Sequence, residues 1–332
     1  MTLRQGGRWL VTGGAGFIGS HLCDALLASG GQVTVVDDLS TGLRANLDAA
    51  VAAHGSRLEV IEAKLSSAVA HLDPSAFDGI FHLAAAVGVR LVVEDPVRAA
   101  ETNVHETSSV LAFASQRRTP ILVASSSEVY GKGVRAPFRE DDDVVFGPPT
   151  VSRWSYGLSK ALDEHLALAH GTRDGLPVAV ARLFNTVGPR QRGRYGMVLP
   201  RFVSAALDGR PLEVHGNGRQ VRCFCDVRDV VGALVALLAT PACHGRVFNV
   251  GSDRPLTVED LARTVLRVTG SRSAIVHVPH AEVFGPSFED LAIRVPDLSR
   301  IRAAIGFEAS IGIERTVADV AACATGVTGG AA

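Results

Sequence analysis

The first half of the chain alternates short apolar runs with longer stretches whose apolar residues recur every three or four positions. Trp9-Leu10-Val11 is an apolar run that ends at a glycine cluster and reads as a strand. The stretch from Phe17 to about Ser29 reads as the helix after it. Val33 to Val36, Leu58 to Ile61, Gly79 to Leu83 and Pro120 to Ala124 read as further strands, with helical stretches such as Val97 to Arg117 between them. This order predicts an α/β fold, a doubly wound parallel sheet covered by helices on both faces and joined by right-handed crossovers. A further helix is expected from Tyr156 to about His170, with Leu158, Leu162, Leu166 and Ala169 as its apolar stripe.

Beyond Val178 to Leu183 the pattern loosens. Loop-rich segments around Gly188 to Tyr195 and His215 to Gln220 interrupt it, a helix is expected at Val230 to Leu238, and Val247 to Val250 can return to the sheet. The reading is two units: residues 1–183, and a smaller, partly interleaved C-terminal lobe over 184–325 that takes the substrate. The small, polar tail from Gly326 reads as frayed. A chain of 332 residues is long enough for this arrangement.

Composition narrows the function more than the fold. With 33 Lys+Arg against 34 Asp+Glu, no bulk field favours nucleic acid or a membrane surface. No apolar run reaches the roughly 18 residues of a membrane span. Met1 to Arg8 is polar, unlike a cleavable leader. The five cysteines, Cys23, Cys223, Cys225, Cys243 and Cys323, are scattered. Cys223-Phe-Cys225 is too tight for a usual zinc site and lacks a matching pair. Reduced cysteines in a cytoplasmic protein, with no metal, are the expectation.

The chemistry lies in three places. The first strand runs into Thr12-Gly13-Gly14-Ala15-Gly16-Phe17-Ile18-Gly19, a GxxGxxG spacing between strand and helix. Such a loop turns tightly, lets backbone approach a pyrophosphate and aims a helix N-terminus at its charge, as in a Rossmann dinucleotide site. The second strand ends in Asp37-Asp38, where a carboxylate binds ribose hydroxyls and repels a 2′-phosphate, which favours NAD over NADP. Ser125-Ser126-Ser127-Glu128 closes a later strand, at the end of the sheet where ligands bind. Its hydroxyls suit either a sugar oxygen or a strand cap. Finally, Tyr156-Gly-Leu-Ser-Lys160 places a phenol and an ammonium on one helix face. A nearby cation lowers a phenol's pKa, so the pair reads as a general acid/base for an alcohol or ketone.

Taken together, TGGAGFIGSHL, VVDDLSTG, FHLAAAVGV, ASSSEVYG, YGLSK, ARLFNTVGPR and RQVRCFCDVRDVV resemble the extended short-chain dehydrogenase/reductases, in particular the nucleotide-sugar epimerases, dehydratases and decarboxylases. The resemblance runs from about Arg8 to Gly306. It implies a catalytic set of Ser126, Tyr156 and Lys160, supported by Asn103. It also implies an NAD site lined by Gly13, Gly16, Phe17, Ile18, Gly19, Asp37, Asp38, Ser40, Thr41, Leu65, Leu83, Ala84 and Ala85, with Lys160 on the nicotinamide ribose. The substrate, a UDP-sugar, falls to Ser126, Ser127, Asn185, Arg192, Arg222 and Arg294. A homodimer through the helices near Val97 to Arg117 and Tyr156 to His170 is a further expectation. Lys64 departs from the family, which usually carries an acid there, near adenine.

The outcome of the reaction stays open between subfamilies. Ser127-Glu128 breaks the acidic pair of dehydratases. Ser126-Ser127-Glu128 and RCFCDVRD resemble glucuronate decarboxylases, whereas RLFNTVGPRQRGRYGMVLPRFV and PFREDDD look more like UDP-sugar 4-epimerases. The first expectation is NAD-dependent 4-epimerisation of UDP-glucuronate to UDP-galacturonate. The alternatives are UDP-glucuronate decarboxylation to UDP-xylose, UDP-glucose 4-epimerisation and, remotely, dinucleotide binding without catalysis. The basic loop Arg190, Arg192 and Arg194 binds a diphosphate or, through Arg192, a sugar carboxylate. Holding that carboxylate out of line with a 4-ketone suppresses loss of carbon dioxide. Glu128 is either a charge or proton relay or a fixed structural anchor.

Overall fold

The computed structural model describes residues 4–86, 95–133, 135–193, 197–284 and 291–326. Seven parallel strands form the central sheet: β1 (Arg8–Thr12), β2 (Gln32–Asp37), β3 (Leu58–Glu62), β4 (Gly79–His82), β5 (Ile121–Ser126), β6 (Val178–Leu183) and β7 (Arg246–Val250). Their spatial order is β7-β6-β5-β4-β1-β2-β3. The chain reverses between β1 and β4, so the crevice at the carboxyl ends of these strands is the ligand position of an open parallel sheet.

Each strand is apolar along its length because helices cover both faces. One core packs Trp9, Val11 and Phe81 against Leu22, Leu26 and Leu27 of the Phe17–Ala28 helix and Leu234 and Leu237 of the Val227–Ala239 helix. The other packs Leu10, Ile80, Ile121 and Val178 against Val110, Leu111 and Ala114 of the Pro96–Ser115 helix. Each such buried aliphatic side chain contributes roughly 1.5–3 kcal/mol.

The C-terminal region has its own core, built from Leu199, Phe202 and Val203 of Val198–Leu207, Leu261 and Val265 of Val258–Thr269, and Val317 and Val320 of Ile313–Ala324. These three helices are not among the expected elements, although the apolar residues of each recur at helical spacing. A small sheet in this region pairs Val221–Cys223 antiparallel with Pro255–Thr257 and parallel with Ile293–Arg294, which delivers Arg222 and Arg294 side by side.

The Ser155–Asp174 helix corrects the expected stripe. Leu158 and Leu162 are exposed, at 44% and 45%, while the inward face carries Ser159, Lys160, Asp163, Glu164 and Ala167. The buried face is polar because it lies behind the site rather than in an ordinary core. Arg182 of β6 forks onto Glu164 at 2.7 and 2.9 Å, and Ser125 donates to the same carboxylate at 2.5 Å. This ties the helix to the strand end that bears Ser126. Arg194 and the tail after Gly326 lie outside the described residues.

Candidate active site

A single cavity of about 1090 Å³ opens at the carboxyl ends of the strands. At one end are Gly13, Gly16, Phe17, Ile18, Gly19, Asp37, Asp38, Ser40, Thr41, Leu65, Leu83, Ala84 and Ala85; in the middle are Ser126, Ser127, Glu128, Tyr156 and Lys160; at the other end are Asn185, Arg192, Arg222 and Arg294. Thus the fold gathers residues from distant segments into one space. Asn103 is the exception. It is buried behind the wall, accepts from the Ala86 N–H at 2.7 Å and donates to Ser159 Oγ at 3.2 Å. It joins the loop after β4 to the Tyr156 helix rather than lining the cavity.

The glycine loop has the shape for a dinucleotide. Gly13 has φ +71°, and a Cβ there would sit 2.8 Å from the Ala84 nitrogen; a Cβ on Gly19 would strike the Gly13 carbonyl oxygen. The Phe17–Ala28 helix starts after Gly16 without a side-chain cap, so its first-turn N–H groups remain for an anion. Asp37 is buried and accepts from the N–H groups of Ala15 and Leu39, each at 2.9 Å. Burial raises its pKa and these two bonds oppose the rise. Asp38 is exposed and accepts from Ser40 N–H at 3.0 Å. Both carboxylates therefore shape the loop as well as line the cavity. Lys64, exposed just before Leu65, also lines this end.

At the centre, Ser126 Oγ accepts from the Glu128 N–H at 3.2 Å, a local cap, and its hydroxyl also hydrogen-bonds the Tyr156 phenol. The electrostatics correct the sequence expectation for Tyr156. Its pKa is raised, first by burial and then by the Glu128 charge; Asp163 adds to the rise and the Ser126 hydrogen bond opposes it. The physical reason is first that the phenol is buried and next that carboxylates bear on it, while Lys160 is paired. Its Nζ donates to Asp163 Oδ2 at 2.8 Å, with both side chains buried.

The Glu128 carboxylate is clamped. Arg153 Nη1 lies 2.6 Å from Oε2 and Arg294 Nη1 lies 2.7 Å from Oε1, with all three side chains at least 88% buried. Burial opposes the charge, but the Arg294 and Arg153 guanidiniums outweigh it and hold the carboxyl down at about 2. This geometry suits an anchor, not a group that exchanges protons near neutrality. Arg153 went unnoticed in the sequence, although it stands three residues before Tyr156. Arg294 Nε and Asn185 Oδ1 are buried without hydrogen-bond partners. Arg222 donates to the Val221 carbonyl at 2.9 Å. Among the described residues no ion pair involves Arg192, whereas Arg190 pairs with Asp24 at 2.8 Å. No group of His, Cys, Asp and Glu among the described residues could hold a metal, and no described helix is long and apolar enough to cross a membrane.

A parallel doubly wound sheet, a glycine cradle and a Ser-Tyr-Lys constellation at one crevice define a dinucleotide-dependent enzyme. Residues 9–251 match the NAD dependent epimerase/dehydratase family, and the chain belongs to that family, with NAD as its cofactor. The chain is 38% identical to the UDP-N-acetyl-alpha-D-glucosaminuronate decarboxylase of Bacillus cytotoxicus, over 93% of this chain and 94% of that protein. It is 33% identical to UDP-glucuronic acid decarboxylase 1 of Danio rerio, over 92% of this chain and 70% of that protein. The fold matches the UDP-glucuronic acid 4-epimerase of Bacillus cereus solved with UDP-glucuronic acid and NAD, with a TM-score of 0.82 and 25% identity over 96% and 99% of the two chains.

Proposed function

We propose that this enzyme oxidises carbon 4 of a UDP-linked uronic acid and that the resulting keto-sugar loses carbon dioxide. In this reading residues 1–183 hold NAD and 184–325 hold most of the nucleotide sugar. Gly13, Gly16 and Gly19 cradle the pyrophosphate, and bound NAD supplies the hydride acceptor. Tyr156 takes the proton of the 4-hydroxyl, Ser126 shares the oxygen through its hydroxyl, and Lys160 orients the nicotinamide ribose. Asn185, Arg192 and Arg222 take the diphosphate and sugar, whose charge a guanidinium fork fits well.

The observation that carries the proposal is the Arg153–Glu128–Arg294 clamp beside Tyr156. A 4-keto uronate is a β-keto acid. It loses its carboxyl group as carbon dioxide when that bond aligns with the ketone π system; the electron pair passes into the enolate, which takes a proton at carbon 5, and hydride would return from the reduced cofactor to carbon 4. The cluster of Glu128, Arg153 and Arg294 carries a net positive charge, so its guanidiniums suit the sugar carboxylate, and Glu128 fixes their orientation. The decarboxylase names of relatives matched over more than nine-tenths of this chain support this outcome.

A second reading is 4-epimerisation of the same uronate. Arg192 favours it, because a guanidinium gripping the carboxylate away from the Arg153–Glu128–Arg294 clamp would hold it out of line with the ketone. The uronate reading shared by both is tested by turnover of UDP-glucuronate against UDP-glucose. A preference of about tenfold or more for the acid is expected; equal turnover of the neutral sugar rejects a uronate substrate.

A further inference from the structure

Asp163 is the terminus of a buried polar chain that the proposed chemistry leaves unused. Its Oδ2 holds Lys160 Nζ at 2.8 Å, and its Oδ1 is buried without a hydrogen-bond partner. Behind it stand Thr107, His82 and Thr12, each at most 1% exposed. His82 Nε2 lies 3.0 Å from Thr107 Oγ1, and His82 Nδ1 lies 2.8 Å from Thr12 Oγ1. Thr12 Oγ1 in turn accepts from the Ala84 N–H at 3.2 Å, in the cofactor wall.

Donor and acceptor chemistry orders this chain. Burial, and then the Lys160 charge, holds the His82 pKa at about 3, so the ring is neutral, with one donor and one acceptor nitrogen. The neutral His82 thus joins Thr12 and Thr107 by one donated and one accepted hydrogen bond, and the Thr107 hydroxyl faces Asp163. Lys160 donates to Asp163 from one side, and Thr107 borders it from the other.

We propose that Asp163 is a positioning residue for the oxidation step. It fixes the Lys160 ammonium by an ion pair and cancels much of its field, so the proton affinity of Tyr156 is set by the pair rather than by Lys160 alone. The charged groups that bear on Tyr156 are Glu128, itself held by Arg153 and Arg294, together with Lys160 and Asp163. Those that bear on Asp163 are Lys160 and Glu164 from its own helix, with Thr107 and the neutral His82 behind it. Asp163 is among the causes that raise the Tyr156 pKa; removing its charge therefore lowers that pKa and brings the base form in at lower pH.

The test uses the full chain saturated with NAD. The sequence contains three tyrosines, so the phenolate absorbance near ~295 nm, taken as the difference from Tyr156→Phe, isolates Tyr156. Asp163→Asn should lower its midpoint by about one pH unit. The acid limb of kcat should move the same way, with KM for the sugar within about twofold. A folded Asp163→Asn protein with an unmoved or raised midpoint overturns the proposal, as does a loss of rate that is uniform across pH. If that variant does not fold, Asp163→Ser gives the same reading. The inference rests on Tyr156 being the acid/base. Should Tyr156→Phe keep full turnover, that reading fails; if it is inactive and Asp163→Asn is unshifted, only the Asp163 proposal fails.

Discussion

The two ends of the cavity are built in opposite ways. The cofactor end is mostly backbone: glycines, an uncapped helix start, and strand ends in a regular parallel sheet, with Asp37 buried to brace the loop. The substrate end is mostly charged side chains. Glu128, Arg153, Arg192, Arg222 and Arg294 arrive from segments far apart in the chain and are brought together by a turn, a loop and a small sheet. Backbone recognition is indifferent to the sugar and defines the class of enzyme. On the proposed reading the charged end takes the sugar and decides what becomes of the keto-sugar.

This contrast can be broken at either end. The largest effect is expected at the junction: Tyr156→Phe should cut kcat by about 10³-fold or more at neutral pH while NAD stays bound, measured by turnover and by cofactor co-purification. At the backbone end, Gly19→Ala forces a Cβ into the Gly13 carbonyl. NAD affinity should fall by roughly a hundredfold, seen by calorimetry, with little change in sugar selectivity.

At the charged end, Glu128→Gln should leave two buried guanidiniums without their counter-ion and lower stability at neutral pH by about 3 kcal/mol. The sign follows from the depressed carboxyl, which the two guanidiniums hold down from an ordinary 4.5 to about 2. Its stabilisation is full above about pH 4.5 and is lost as pH falls towards 2, so denaturant unfolding of the variant should be flatter across that window. The smallest effect is expected for Arg192→Ala. It should lower kcat/KM for UDP-glucuronate and UDP-glucose alike, by about tenfold, because Arg192 takes the diphosphate they share. A loss confined to UDP-glucuronate would move Arg192 onto the carboxylate and favour epimerisation.

The same contrast explains what the sequence made legible. The glycine spacing, the β-branched strand runs and the placement of Ser126, Tyr156 and Lys160 can be read because each depends on local order along the chain. The charged end depends on where distant segments meet. Arg294 needs its pairing beside Arg222 to reach the site, and Arg153 carries no spacing signal of its own. The Ser155–Asp174 helix shows the limit most clearly. Its periodic leucines suggested the buried face, but that face belongs to Lys160, Asp163 and Glu164, whose partners are on β5, β6 and the Pro96–Ser115 helix. Periodicity alone cannot distinguish a buried polar network from a solvated face. For the same reason the lowered Tyr156 pKa expected from Lys160 is reversed, first by burial and then by the Glu128 charge, with Asp163 adding to the rise.

On the proposed reading the charged end directs a 4-keto uronate towards loss of its carboxyl group. The most direct test supplies the protein with UDP-glucuronate labelled with carbon-13 at the carboxyl carbon and follows the label by NMR. Release of the label as bicarbonate, with UDP-xylose formed in equal amount and no net NADH, is the predicted result. Retention of all the label in UDP-galacturonate would contradict it and assign the same site to epimerisation.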